Sequence, residues 1–151
     1  TGFYSFNDTG YDDATRSLAA VACSDGTNGV MWKYNWKVQG DVKNFPFIGG
    51  SEAIGGWNSP NCGTCWAATY NGRTIHILAI DHAAHGLNIG LTAMNALTNN
   101  KAVELGRVDA HVVQDLSVTV GSEQAGERRM LCTSDSKDAV SHRVMLIIKQ
   151  P

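Results

Sequence analysis

Hydrophobic and polar positions divide this chain into short pieces. Alternation is clearest in "CWAATY-NG-RTIHILAI", residues 65–80. Asn71–Gly72 separates two strand-like runs, and both residues tolerate the positive φ that a two-residue hairpin turn needs. In the second arm Ile75, Ile77 and Ala79 share one face, and His76, Leu78 and Ile80 the other. Apolar residues on both faces predict a strand inside a barrel or between two layers. "VELGRVDAHVVQDLSVTV" resumes strand character through Val108, Val112, Val113 and Val118. "LTAMNALTN" has helical spacing at Ala93, Met94, Ala96 and Leu97, with Thr92 as its cap. A second short helix is expected at "SEAIGG". Gly49–Gly50, Gly55–Gly56 and Asn58–Ser59–Pro60 read as turns. Many short strands with few helices predict a mainly β fold, a small closed or nearly closed β-structure.

Composition bounds this picture. A chain of 151 residues, 43% of them hydrophobic, holds one ordinary domain with one core. No linker, repeat or low-complexity segment interrupts it. A net charge of -2 excludes a general attraction to nucleic acid or to anionic membrane. No apolar run approaches the roughly 20 residues that span a bilayer. The opening "TGFYSFNDTG" has neither a basic nor an apolar leader region, and reads as a processed or trimmed form.

Four cysteines then raise the question of compartment. Cys62 and Cys65 form a C-x-x-C. An even count in a Gly-rich chain suits two disulfides in an oxidising environment, with the pairing open. Zinc wants a second ligand pair, and the five histidines supply only His82-x-x-His85 with no third ligand nearby. A redox pair wants the motif opening a helix, whereas strand-like sequence follows it here. No metal and no other cofactor is expected.

Several segments together carry a resemblance. "VACSDGTNGVMWKY", "FPFIGGSEAIGGWNSPNCGTCW" and "TYNGRTIHILAIDHAAHGLNIGLTAMNALTNNKAVELGRVDAHVVQ" resemble successive signature segments of the cerato-platanins. The resemblance runs from about Tyr4 to about Gln114. It implies a double-psi β-barrel like the first domain of expansins, related also to family-45 glucanases. It implies a small protein secreted from a fungus, in the extracellular space or cell wall, that acts as an elicitor or effector toward plant hosts. It further implies non-catalytic binding of chitin-type N-acetylglucosamine oligomers in a shallow groove. Expected partners are those oligomers, plant cell-wall polysaccharide or an immune receptor, with no nucleic acid and no membrane. The chain itself is expected as a monomer or weakly self-associating. An expansin-like loosening of polysaccharide, with little or no hydrolysis, is the alternative. By resemblance, Cys23 pairs with Cys62, and Cys65 pairs with a cysteine nearer the C-terminus.

The end of the chain departs from the family. In "VVQDLSVTVGSEQ" valine or threonine stands where the family has its last cysteine. Cys132 then either takes over the pairing with Cys65 or is free. The expected barrel domain is residues 1–120, and residues 121–151 form an extension with no match. Within it "HRVMLIIK" is strand-like, and would add an edge strand or pack a patch onto the barrel.

Candidate chemistry follows the implied groove. Glycoside hydrolysis needs two carboxylates at a defined separation. Asp81 in "AID" could serve with Asp25 in "CSDG", but Ser-Asp-Gly equally makes a turn, and Asp81 equally holds the following loop in shape. No catalytic residue is therefore assigned. For binding, Asp81 accepts hydrogen bonds from sugar hydroxyls, and Asn88 both donates and accepts, which suits an N-acetyl group. The competing role for Asn88 is a left-handed turn residue. Ser24 and Asp25 are expected on the groove rim, and His82 beside Asp81. Trp57 either stacks on sugar or packs under a disulfide, and Trp66 is expected in the core. Trp32 and Trp36, in "MWKYNW", are read either as an exposed adhesive patch or as the packing of a loop.

Overall fold

The computed structural model describes residues 10–116, Cys132 and the strand Ala139–Lys149. Among them run β1 (Ile48–Ser51), β2 (Cys65–Tyr70), β3 (Arg73–His82), β4 (Leu87–Ile89), β5 (Arg107–Asp115) and β6 (Ala139–Lys149). Three short helices accompany them: α1 (Val30–Tyr34), α2 (Leu91–Thr98) and α3 (Ala102–Leu105). The strands close a barrel in the order β1-β3-β2-β5-β6-β4, and β4 pairs back onto β1. Two of the pairings, β1 with β3 and β4 with β6, are parallel, and the rest are antiparallel. No helix of the described residues is long and apolar enough to cross a membrane.

The Asn71–Gly72 hairpin forms, with Tyr70 opposite Arg73 and both turn residues at positive φ. Both faces of β3 are buried: Ile77, Leu78 and Ile80 are each closed to solvent. One face fills the barrel, and α2 packs against the strand from outside. Ile48, Leu87, Ile89, Met94 and Leu97 complete this core, and each fully buried aliphatic side chain contributes about 1.5–3 kcal/mol. Trp66 is buried as expected, with its indole N–H donating to Thr64. In β5 alternate residues face inward from Val108 to Val112, as its sequence pattern requires.

Several local expectations give way. Gly49–Gly50 is no turn but the middle of the buried strand β1. A Cβ on Gly49 would lie 2.1 Å from the Asn88 carbonyl oxygen, so the glycine permits a close approach of neighbouring backbone. "SEAIGG" leaves β1 through a turn and forms no helix. Val103–Leu105 belongs to α3, so β5 starts only at Arg107. Thr92 does not cap α2; Gly90 holds that position, and the carboxylate of Asp12 accepts from the Thr92 N–H at 3.2 Å. A side chain 80 positions away thus does the capping. The first four residues of "MWKYNW" belong to α1 rather than to a loop, and its two tryptophans part company. Trp32 is 65% exposed, whereas Trp36 is half-buried and stacks on Tyr34 with ring centroids 4.5 Å apart. Val118 and its neighbours lie outside the described residues. The strand-like tail becomes β6, paired on both sides between β5 and β4, so it is neither an edge nor an added patch.

Cys23 is bonded to Cys62, and Cys65 to Cys132. The C-x-x-C thus sends its two sulfurs to different parts of the barrel, and no cysteine is free.

Candidate functional site

Strand register brings the first two candidates together. Gly50 pairs with Asp81 of β3 on one side and with Asn88 of β4 on the other. Asp81 and Asn88 therefore flank a position with no side chain. A Cβ there would lie 2.9 Å from the His82 carbonyl oxygen and 3.3 Å from the Tyr11 hydroxyl. The missing side chain thus lets the His82 backbone and the Tyr11 phenol close in over Gly50.

Asp81 sits at the centre of the hydrogen bonding. Its Oδ2 accepts from the Tyr11 hydroxyl at 2.9 Å. Its Oδ1 accepts from the backbone N–H groups of Ala22 and His82, each at 2.9 Å. A carboxylate offers about four acceptor positions. Most of this carboxylate is therefore committed to holding the loop before α1 and the end of β3. Burial, and then the charge of Asp81, push the Tyr11 hydroxyl far above the usual phenol range, so it remains a donor. The Arg16 guanidinium lies 5.7 Å from the Tyr11 ring centroid.

Two buried acceptors near this row have no donor among the described residues: Asn88 Oδ1 and Asp12 Oδ1. Asn88 is a strand residue, not the left-handed turn residue considered from the sequence. Asp12 follows Tyr11, and its Oδ1 would lie 2.7 Å from a Cβ on Gly90, two positions beyond Asn88 along the same chain. Leaving a buried acceptor unpaired costs about 1–3 kcal/mol. Such atoms suit a ligand that brings hydroxyl or amide N–H donors.

Ser24, Asp25 and Trp57 form a second group, joined to the first by residues 22 and 23. Ala22 binds Asp81, and the Cys23 N–H donates to the Ile80 carbonyl at 3.0 Å. Asp25 Oδ1 accepts from the Trp57 indole N–H at 2.6 Å and from Ser24 Oγ at 3.3 Å. The indole lies against Gly26, whose Cβ would meet its edge at 3.0 Å. Gly26 has φ +84, so this position rejects a side chain on both counts. Trp57 remains 62% exposed: it does not pack under the disulfide but lies on the surface, fixed by Asp25. Asn58 and Asn28 bind each other and the Cys23–Cys62 bond ties the same two loops. His82 is exposed, and its Nδ1 donates to the Ile54 carbonyl. Tyr11, Asp12 and Gly50 escaped the sequence reading. Their partners are 70 to 80 positions away for the first two, and Gly50 looked like punctuation.

No group of three or more His, Cys, Asp or Glu among the described residues could hold a metal ion. A separate cleft of about 360 Å³ lies between Phe45, Phe47, His76 and Cys132. Burial keeps the His76 pKa below its ordinary value, although Asp115 lies 3.9 Å away.

The family model for Cerato-platanin matches residues 4–121. The chain belongs to the cerato-platanin family. It is 48% identical over 101 residues to the heat-stable 19 kDa antigen of Coccidioides immitis, covering 67% of this chain and 68% of that one. It is 50% identical over 103 residues to allergen Asp f 15 of Aspergillus fumigatus, covering 68% and 66%. To the cerato-platanin of Ceratocystis fimbriata f. sp. platani it is 43% identical over 107 residues, covering 69% and 77%. Among solved structures, cerato-platanin 1 from M. perniciosa superposes with a TM-score of 0.67 at 45% identity, covering 71% of this chain and 89% of that one. The solution structure of the fungal elicitor cerato-platanin gives 0.61 at 42%, covering 69% and 84%. These cerato-platanins are fungal, and the two disulfides of this chain fit an oxidising compartment.

Proposed function

We propose that this cerato-platanin is a secreted, non-catalytic protein that binds N-acetylglucosamine oligomers and meets plant hosts as an elicitor. The observation that supports the binding reading is the unpaired Asn88 Oδ1 in the strand beside Gly50. An N-acetyl group supplies the missing donor, and sugar hydroxyls suit Asp12 Oδ1. Trp57, exposed and fixed by its bond to Asp25, offers an aromatic surface on which a pyranose stacks, extending the site along residues 22–25. Asp81 serves as scaffold rather than acid, because three donors already occupy it. The elicitor role is carried over from the fungal elicitor cerato-platanin, whose solution structure this chain resembles.

The test is a titration with the N-acetylglucosamine trimer, followed by Trp fluorescence and calorimetry. Saturable binding is expected, with Asn88→Ala weakening it about tenfold. Reducing-sugar release from chitin or cellulose is expected at background. Binding that leaves Asn88→Ala unaffected removes this site from the reading, and sugar release at enzymatic speed overturns the non-catalytic assignment.

A further inference from the structure

A second recess lies on another part of the molecule, where the β2–β3 hairpin turn meets the end of α2. It encloses about 260 Å³ and is lined chiefly by Tyr70, Asn71, Arg73, Asn99, Lys101 and Leu105. That is below the roughly 300–1,000 Å³ of ordinary small-molecule pockets, so it suits one ring-sized unit at a time. Its charge is one-sided. Arg73 and Lys101 both line it, no carboxylate does, and neither cation makes an ion pair among the described residues. The nearest acid along the chain from Lys101 is Glu104, exposed on α3 and outside the recess.

The recess is also held in shape. Arg73 Nη2 donates to Asn99 Oδ1 at 3.1 Å, which fixes the guanidinium and leaves the rest of its fork unpaired among the described residues. Asn71 and Asn99 both have left-handed backbones, at φ 46 in the hairpin turn and φ 56 at the C-terminal cap of α2. Asn99 N–H and Asn100 N–H both return to the Asn95 carbonyl, locking the end of α2. Amide side chains beside a guanidinium and a flat Tyr70 wall match a sugar ring bearing a carboxylate. The fork pairs with the carboxylate, the amides with ring hydroxyls, and the aromatic ring with the sugar face.

We propose that this recess binds the hexuronate units of an acidic polysaccharide, independently of the site around Gly50. The protein carries a net charge of -2, so attraction for an acidic polymer has to be local, and these two cations supply it. The competing account is that Arg73 and Lys101 merely offset the negative end of the α2 dipole.

The intact protein is titrated with a galacturonate trimer, a neutral galactose trimer and inorganic phosphate, at low and at physiological salt. Saturable binding of the galacturonate trimer alone is expected, weakening as salt rises. Arg73→Gln and Lys101→Gln are each expected to weaken it about tenfold, with Arg73→Lys in between because charge survives and the fork does not. All three variants are expected to bind the N-acetylglucosamine trimer as the parent protein does, which also reports intact folding. The proposal is overturned by absence of saturation, by equal binding of the galactose trimer, or by phosphate binding as tightly as the uronate. It is equally overturned if the substitutions lower the melting temperature and leave uronate affinity unchanged, the result that the dipole account requires.

Discussion

Tyr11 and Asp81 show how one contact joins distant parts of a chain. The phenol hydroxyl spans 70 positions of sequence to reach the carboxylate, which also gathers two backbone donors. Tyr11→Phe removes one donor and is expected to cost about 1–3 kcal/mol. Asp81→Ala strands three donors, the buried hydroxyl included, and is expected to cost more. Urea unfolding of both variants checks the order; an Asp81→Ala protein as stable as Tyr11→Phe contradicts the scaffold role. Loss of sugar binding in Asp81→Ala would therefore mix two effects, which is why Asn88 is the cleaner probe. At this scale the sequence was partly legible. "AID" and "CSDG" pointed to residues that share one neighbourhood through Ala22 and Cys23. Tyr11 and Asp12 gave no local signal, since their partners are set by barrel closure and not by spacing.

Among the elements, β1 is the least legible and the most constrained. "IGGS" has no alternation and too little side chain to announce a strand. Its glycines answer to neighbours that the sequence around them does not mention. At Gly49 that neighbour is the Asn88 carbonyl, and at Gly50 the His82 carbonyl. Both obstacles are backbone, so they cannot swing aside. Gly49→Ala is accordingly expected to destabilise by about 3 kcal/mol or more, at the upper end of overpacking costs. The measurement is the midpoint of thermal or urea unfolding, with Gly55→Ala as control, since nothing lies within 4 Å of a Cβ there. By contrast, the β2–β3 hairpin was fully legible. Its turn residues are chosen by backbone chemistry within four positions, and tertiary packing only confirms them. The α2 helix fell between: its apolar spacing was local, but its cap came from Asp12.

Across the whole molecule, the barrel is closed by its last described strand, which β4, from the middle of the sequence, and β5 hold between them. The mainly β architecture could be read from patterning, whereas the place of β6 could not. An apolar strand looks the same at an edge and in a closed sheet, and only its second partner distinguishes them. The pairing of the four cysteines was likewise open on spacing alone. The bridge between Cys65 and Cys132 spans a sequence separation of 67, for which chain entropy gives about 4 kcal/mol. The double variant Cys65→Ser/Cys132→Ser is expected to unfold at markedly lower urea, with Cys23–Cys62 intact by mass spectrometry. An unchanged midpoint would mean that this bridge restrains nothing the barrel does not already restrain.

The way the two bridges abut has a consequence for digestion. A cut anywhere from residue 23 to 62 leaves both fragments joined by the first bridge, and one from 65 to 132 leaves them joined by the second. Between these spans lies only the short connection through Gly63 and Thr64. Its Gly63 N–H and Thr64 carbonyl are both bound to Ala79. A protease that nicks the exposed loops between residues 23 and 132 would release no freestanding half, and the one bridge-free scission point within that span is stitched into the wall.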